Sequence, residues 1–276
     1  MVGEFFKAVL FGIVQGVTEW LPISSTGHMI LLDELVQLKV SDAFYELFQV
    51  VIQLGSILAV VVLYFHTLNP FSPQKSPQQK KRTWQMWFKV LVGVLPLGVL
   101  GLLLDDFVNA HFYNYVVVAL ALIVYGVLFI VIENSRRGKK PAVTSLQQLS
   151  YRKAAQIGLF QVLSIVPGTS RSGSTILGAM LLGLDRPLAA EFSFFMAIPV
   201  MVGASGLKTV KYLVKGGLQF TPTEWMVLLV GTLVAFLVSL LVIRFLVRFV
   251  KRHDFRVFGI YRIVLGLVVL AYFLIR

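Results

Sequence analysis

The sequence contains no cysteine and is short of charge: Asp, Glu, Lys and Arg make up 14% of 276 residues, with 13 acids against 25 bases. The missing cysteine excludes a disulfide scaffold and says nothing about compartment in a chain of this kind. Soluble domains average about 25% charged residues, so the shortage of charge excludes an ordinary soluble globule. Glycine, at 22 residues, is too sparse for a collagen-like chain, and the composition is too apolar for disorder. What is abundant is hydrocarbon: 57% hydrophobic residues, 22 Phe and a mean hydropathy of +0.83. Uncharged runs of about twenty residues recur from end to end, as in a polytopic membrane protein. The net charge of +12 belongs with this reading, because Lys and Arg concentrate in cytoplasmic loops. Membrane lipids are the expected surroundings, and nucleic acid is not an expected partner.

Six segments are long and apolar enough to cross: Phe44–Phe65, Trp84–Leu104, Phe112–Ile132, Pro187–Leu207, Trp225–Ile243 and Val257–Ile275. Four carry one charge each, at Glu46, Lys89, Glu191 and Arg262, and Arg262 lies deep enough to need a partner. Two other apolar regions are broken by polar turns. Residues 8–32 are interrupted by Glu19, Pro22 and Ser24-Ser25-Thr26-Gly27-His28, and residues 154–184 by the run from Pro167 to Thr175. Arms this short are marginal for crossing, and irregular backbone survives at membrane depth only where protein or a water-filled cavity surrounds it. Two re-entrant helix hairpins fit; a span kinked at proline is the alternative.

Loops 66–83, 133–153 and 244–256 are rich in Lys and Arg and are expected to be cytoplasmic. Loop 105–111 has neither and is expected outside, while loop 208–224, with Lys208, Lys211 and Lys215, is the weaker case. Six spans joined by these loops place both termini outside. No cleavable signal peptide is expected, since the first apolar stretch lacks a basic leader. The expected fold class is an all-α integral membrane protein, with six transmembrane helices plus two re-entrant helix hairpins in an inverted repeat. Residues 1–276 form one domain, with repeat one at about 1–133 (hairpin 5–38) and repeat two at about 150–276 (hairpin 152–184). The repeat rests on a shift of 146 positions that pairs Gly12 with Gly158, Gln15 with Gln161, Ser24 with Ser170 and Gly27 with Gly173. Inverted repeats with broken helices meeting near the midplane are a transporter arrangement.

The second turn, holding Gly168, Ser170, Arg171, Ser172, Gly173, Ser174 and Thr175, suits a phosphate. Glycines let backbone N–H groups approach an anion, a helix start carries partial positive charge, hydroxyls donate, and arginine binds phosphate in bidentate fashion. It is not a nucleotide P-loop, because the lysine of that motif is missing. The first turn supplies a carboxylate and an imidazole. Gln15 and Glu19, four apart, share a helix face, and Glu19 can bind a divalent ion or move a proton. His28 is a candidate base, acid or nucleophile, with Ser24, Ser25 and Thr26 beside it. The two turns together point to phosphoryl transfer on a lipid with an anionic head.

At these clusters the sequence resembles bacterial undecaprenyl-pyrophosphate phosphatases of the bacitracin-resistance type, along essentially the whole chain, including Val51–Val60 and Ile260-Tyr261-Arg262. The motifs are an (E/Q)-x-x-x-E pattern met by Gln15 and Glu19 and leading to His28, and P-G-x-S-R-S-x-x-T from Pro167 to Thr175. The resemblance implies a multi-pass enzyme of the bacterial plasma membrane, acting at its outer side. Its reaction would be hydrolysis of undecaprenyl pyrophosphate to the monophosphate carrier lipid for cell-wall polymers, with bacitracin resistance when overproduced. It also implies a divalent cation, magnesium or calcium. Carried over by residue, Glu19 is a metal or acid-base group, His28 is catalytic, Arg171 is the main phosphate clamp and Arg262 a second one. Ser25 with His28 as base, or His28 itself, is the nucleophile. Gln15 stands where the motif also permits Glu, and a neutral amide adds no charge to a metal site. A polyprenyl-phosphate carrier without hydrolysis is the main rival. A second lipid-phosphatase superfamily, whose P-S-G-H pattern is faintly echoed, lacks its required histidine after Arg171. A homodimer is left open.

Overall fold

The computed structural model describes residues 2–214 and 220–275, so Lys215 lies outside the described residues. Within them the chain is helical, with one isolated bridge between Val143 and Leu184. The first broken region is α1 (Val2–Thr18) and α2 (Ser25–Leu35), followed by α3 (Asp42–Leu63), the short α4 (Phe65–Leu68), α5 (Pro77–Phe112) and α6 (Tyr115–Arg136). The second is α7 (Tyr151–Val162), a 3-10 turn (Leu163–Ile165) and α8 (Arg171–Leu181), followed by α9 (Arg186–Val214), α10 (Pro222–Val250) and α11 (Arg256–Ile275). Six of these, α3, α5, α6, α9, α10 and α11, are long and apolar enough to cross a membrane. Leu95, Leu229, Leu241 and Leu267 stand outward on them, as hydrocarbon permits.

Four spans contain the segment expected from hydropathy whole, α3 ends at Leu63 short of Phe65 and α6 starts at Tyr115 beyond Phe112, and several helices outrun the expected segment. Helix α5 starts at a Ser76/Gln79 capping box with Pro77 in its first turn, and α10 at a Thr221/Glu224 box, so both begin inside stretches expected as loops. Residues 105–111, expected as a loop, continue α5 to Phe112, because nothing in the stretch breaks a helix. Arg244 and Arg248 extend α10, arginine being a good helix former.

The arms of each broken region run antiparallel, as a re-entrant hairpin requires. In the first, Lys7 Nζ donates to the Gln37 carbonyl (2.6 Å) and the Lys39 N–H to Glu4 Oε2 (3.0 Å), tying the start of α1 to the segment beyond α2. In the second, Gly178 abuts Phe160 and Gly183 approaches Lys153. The two open at opposite ends of the molecule. Hairpin two opens where the basic segments gather: Arg186 pairs with Glu133, the Phe255 N–H donates to Glu133 Oε1 (2.8 Å), and Lys89 Nζ reaches the Leu146 carbonyl (2.7 Å). Helix α10 ends at that basic face, and α1 climbs it in parallel from the far end. A Cβ at Gly12 would stand 2.6 Å from the Gly231 carbonyl oxygen and one at Gly16 2.8 Å from that of Ala235, so glycine is what allows this approach. Both turns therefore lie between the two ends.

Candidate functional site

The two turns are built alike. Among the described residues, the non-glycine positions with positive φ are Ser24 (φ 74°) and Ser170 (φ 71°), the two hydroxyl residues paired by the repeat. Each is the N-cap of the helix that follows, its Oγ accepting from the N–H three residues on: Gly27 to Ser24 at 3.4 Å, Gly173 to Ser170 at 3.1 Å. A strained backbone at both caps is a feature held by its surroundings and typical of working sites.

Between the turns lies a cavity of about 180 Å³ lined by Glu19, Ser25, Thr26, Gly168, Ser170 and Arg171, together with Gln53 and Ser164. Glu19 is at its centre and is 5% exposed. Its Oε1 receives Arg171 Nη2 (3.1 Å), and its Oε2 receives Gln15 Nε2 (3.0 Å) and Ser25 Oγ (3.2 Å). Arg171 is further held by the Ser193 carbonyl (2.9 Å) and lies over the Trp20 ring at 5.9 Å, leaving its Nε without a hydrogen bond. The buried carboxylate thus bridges a guanidinium from one hairpin and a hydroxyl from the other, where low polarity strengthens each charge interaction.

Several residues expected at the site do other work. His28 does not face Ser25: its Nδ1 meets the Ser24 carbonyl (2.8 Å), its Nε2 meets the Tyr261 hydroxyl (2.7 Å), and the two rings stack. One helical turn carries the imidazole past the cavity, so the pairing of Ser25 with His28 as its base is not formed. Arg262, expected as a second clamp, is 0% exposed, its Nε without a hydrogen bond and its two Nη groups donating to carbonyls: Pro22 (3.1 Å) from the first turn, Gly168 (2.9 Å) and Thr169 (3.0 Å) from the second. It staples the turns together and has no face left for phosphate. Ser172, Ser174 and Thr175 are buried and turned to protein: Ser172 donates to the Glu19 carbonyl (3.1 Å), Ser174 to the Arg171 carbonyl (3.0 Å), and Thr175 bonds Ser193 Oγ (2.6 Å). Gly173 sits beside the Ser170 side chain and Arg262, its N–H given to the cap.

Gln53, Ser164 and Ser193 were missed as site residues. Each is a single polar residue inside an apolar stretch, and polarity at membrane depth was the available signal. A resident metal is poorly served. No group of three His, Asp or Glu side chains stands together among the described residues, and the one carboxylate in the cavity is already shared by Arg171, Gln15 and Ser25. Glu19 fits a cation that arrives on a phosphate ligand, since magnesium is commonly held by one or two carboxylates plus substrate phosphates.

A family model for the bacitracin resistance protein BacA matches residues 8–268. The chain belongs to the BacA family. Among its curated relatives, an undecaprenyl-diphosphatase from Desulfitobacterium hafniense is 57% identical over 99% of this chain and 97% of its own. One from Clostridioides difficile is 57% identical over 98% and 96%, and one from Enterococcus faecalis 53% identical over 99% of both. The BacA match takes in both hairpin turns and all six long helices, the last of them as far as residue 268.

Proposed function

We propose that this membrane protein is an undecaprenyl-diphosphatase, hydrolysing undecaprenyl pyrophosphate to undecaprenyl phosphate and inorganic phosphate and so returning a carrier lipid to cell-wall synthesis. The full-length likeness to relatives of that name supports the substrate. The observation that carries the chemistry is the Ser25–Glu19–Arg171 chain, at 3.2 Å and 3.1 Å, in the cavity at the meeting of the two turns. A hydroxyl in contact with a buried carboxylate is a nucleophile beside its base, and a guanidinium next to both is a phosphate holder.

In this mechanism the terminal phosphoryl group takes Arg171 Nη2 from Glu19. The freed carboxylate then accepts the Ser25 proton. Ser25 Oγ bonds to phosphorus as the bridging P–O bond breaks, and undecaprenyl phosphate departs. Glu19, having given its proton to the departing lipid phosphate, takes one from a water that attacks the phosphoserine; the Ser25–phosphorus bond breaks, Glu19 returns the proton to Ser25 Oγ and inorganic phosphate leaves. Ser170, Thr26 and the Gly168 backbone border the space the phosphoryl oxygens occupy. Arg262 keeps the two halves in register, and Gln15 orients Glu19. Glu19 would also hold a magnesium or calcium ion arriving with the pyrophosphate. That ion would offset phosphate charge during transfer. Such catalysis works by positioning and electrostatic stabilisation.

The gathering of Lys and Arg at one end supports a plasma-membrane orientation with that end cytoplasmic and hairpin one opening outside. The test is inorganic phosphate release from undecaprenyl pyrophosphate by the detergent-purified protein, with and without magnesium or calcium. Release lost in Ser25→Ala and Arg171→Ala, yet kept in part by His28→Gln, is the expected pattern. Folded wild type that binds the lipid and releases nothing favours the carrier instead.

A further inference from the structure

The catalytic cavity is overlaid by a larger space. On α3, Gln53 lines the cavity, while Gln49 and Glu46, one and two turns nearer the helix start, line a second cavity of about 700 Å³. The same progression runs along α9, from Met201 and Ala204 at the cavity to Lys208 and Lys211 in the larger space. On α2 it runs from Thr26 to Met29 and then Asp33. Spacings of three and four keep each series on one helix face, so three walls continue from one space to the next. The larger space lies away from the basic face, toward the end where hairpin one opens. Its α9 wall carries two cations, and neither Lys208 nor Lys211 is in an ion pair with a described residue. Its α2 and α3 walls carry Asp33 and Glu46.

We propose that this vestibule is the exit path of inorganic phosphate, with Lys208 and Lys211 as a transient anion station on the way out. The inference rests on the phosphatase reading. The two products have opposite needs: the lipid phosphate can leave sideways on its polyprenyl tail, whereas free phosphate is a small hydrated anion that must leave through polar surface. The vestibule supplies that surface directly over the reacting atoms. Its formal charges cancel, with two lysines against two carboxylates, so an anion is drawn along the α9 wall without being trapped. Conduction paths generally need binding strong enough to enter and weak enough to leave.

The test uses the full-length protein in detergent, with inorganic phosphate as the probe. Product inhibition by added phosphate is measured on lipid cleavage, and the broadening of the phosphorus NMR line of free phosphate is measured without lipid. Lys208→Gln with Lys211→Gln is expected to raise the phosphate inhibition constant roughly two- to tenfold and to reduce the broadening, leaving KM for the lipid unchanged. Asp33→Asn with Glu46→Gln is expected to shift both readouts the other way. Unchanged inhibition and broadening in both double variants overturn the proposal. A raised lipid KM with unchanged phosphate inhibition assigns the lysines to the lipid head and overturns it too. Wild-type protein that cleaves nothing sinks the phosphatase reading and the exit path with it, while the NMR arm separately reports whether the lysines bind phosphate.

Discussion

Hairpin one and hairpin two begin their second helices in the same way, with Ser24 and Ser170 at positive φ capping the N–H three residues on. The residues set on that shared frame differ at matching positions. Ser25 opens α2 where Arg171 opens α8, and Glu19 precedes the first turn where Ile165 precedes the second. The matched glutamines show the consequence. Gln15 donates to Glu19 at 3.0 Å, while Gln161 is 0% exposed with neither amide atom hydrogen-bonded. The surroundings differ as well. Every residue from Ser172 to Met180 of α8 is buried, sealed by Phe192, Phe194 and Phe195 on the basic side, whereas α2 lines an open vestibule. The repeated turn gives two anchors, and the side chains that differ between the two bring a carboxylate, a hydroxyl and a guanidinium into one cavity.

The comparison breaks first at its polar centre. Ser25→Ala is expected to lower turnover by on the order of 10⁴–10⁶-fold, as loss of a nucleophile does, and Arg171→Ala by about 10²–10³-fold, both measured as phosphate release. Arg171→Ala also strands Glu19 as a buried charge, so its melting temperature will fall while that of Ser25→Ala changes little. If both variants lose equal activity and equal stability, the division of roles between the hairpins is wrong.

Arg262→Ala removes the donor shared by Pro22, Gly168 and Thr169 and leaves their carbonyls without it. At roughly 1–3 kcal/mol for each unsatisfied buried group, the loss is several kcal/mol, and thermal unfolding should show it. Activity surviving in a stable Arg262→Ala protein would remove the staple.

Packing sharpens the contrast between sealed and open. An alanine at Gly178 would overlap Phe160 and is expected to cost about 1–3 kcal/mol, whereas an alanine at Gly27 meets the tip of Leu122 at 3.2 Å and Ser24 Oγ at 3.7 Å and should cost less. Thermal melts of the two variants compare the hairpins directly. The smallest effect has the opposite sign. Gln161→Leu removes two unpaired polar atoms and is expected to stabilise by about 1 kcal/mol, while Gln15→Leu lowers activity by loosening Glu19.

Much of this was legible in the sequence. Hydropathy located the six long helices, and the paired turns were visible because polar clusters cannot sit at membrane depth without reason. Helix ends were not legible where Ser76 and Thr221 cap helices that start outside the apolar run, since hydropathy reports on lipid and caps on backbone hydrogen bonds. Glu19, Ser25 and Arg171 were expected where the two turns meet, and the structure sets all three around one cavity. The directions of His28 and Arg262 were not readable: a sequence places an imidazole or guanidinium on an element, and only the fold tells whether carbonyls have already taken its protons. The exposed vestibule was hidden for a related reason, its charges being scattered over three helices remote in sequence.

The clasp at Glu133 has a consequence for biosynthesis. Its carboxylate, 3% exposed, is met by Arg186, 53 residues later, and by the Phe255 N–H, 122 residues later. A ribosome that has just delivered α6 has made the acid and neither of its partners. The first half of the chain therefore waits with this carboxylate at its basic end, near Arg136 but without either hydrogen-bond donor, and the second half closes the molecule by supplying both.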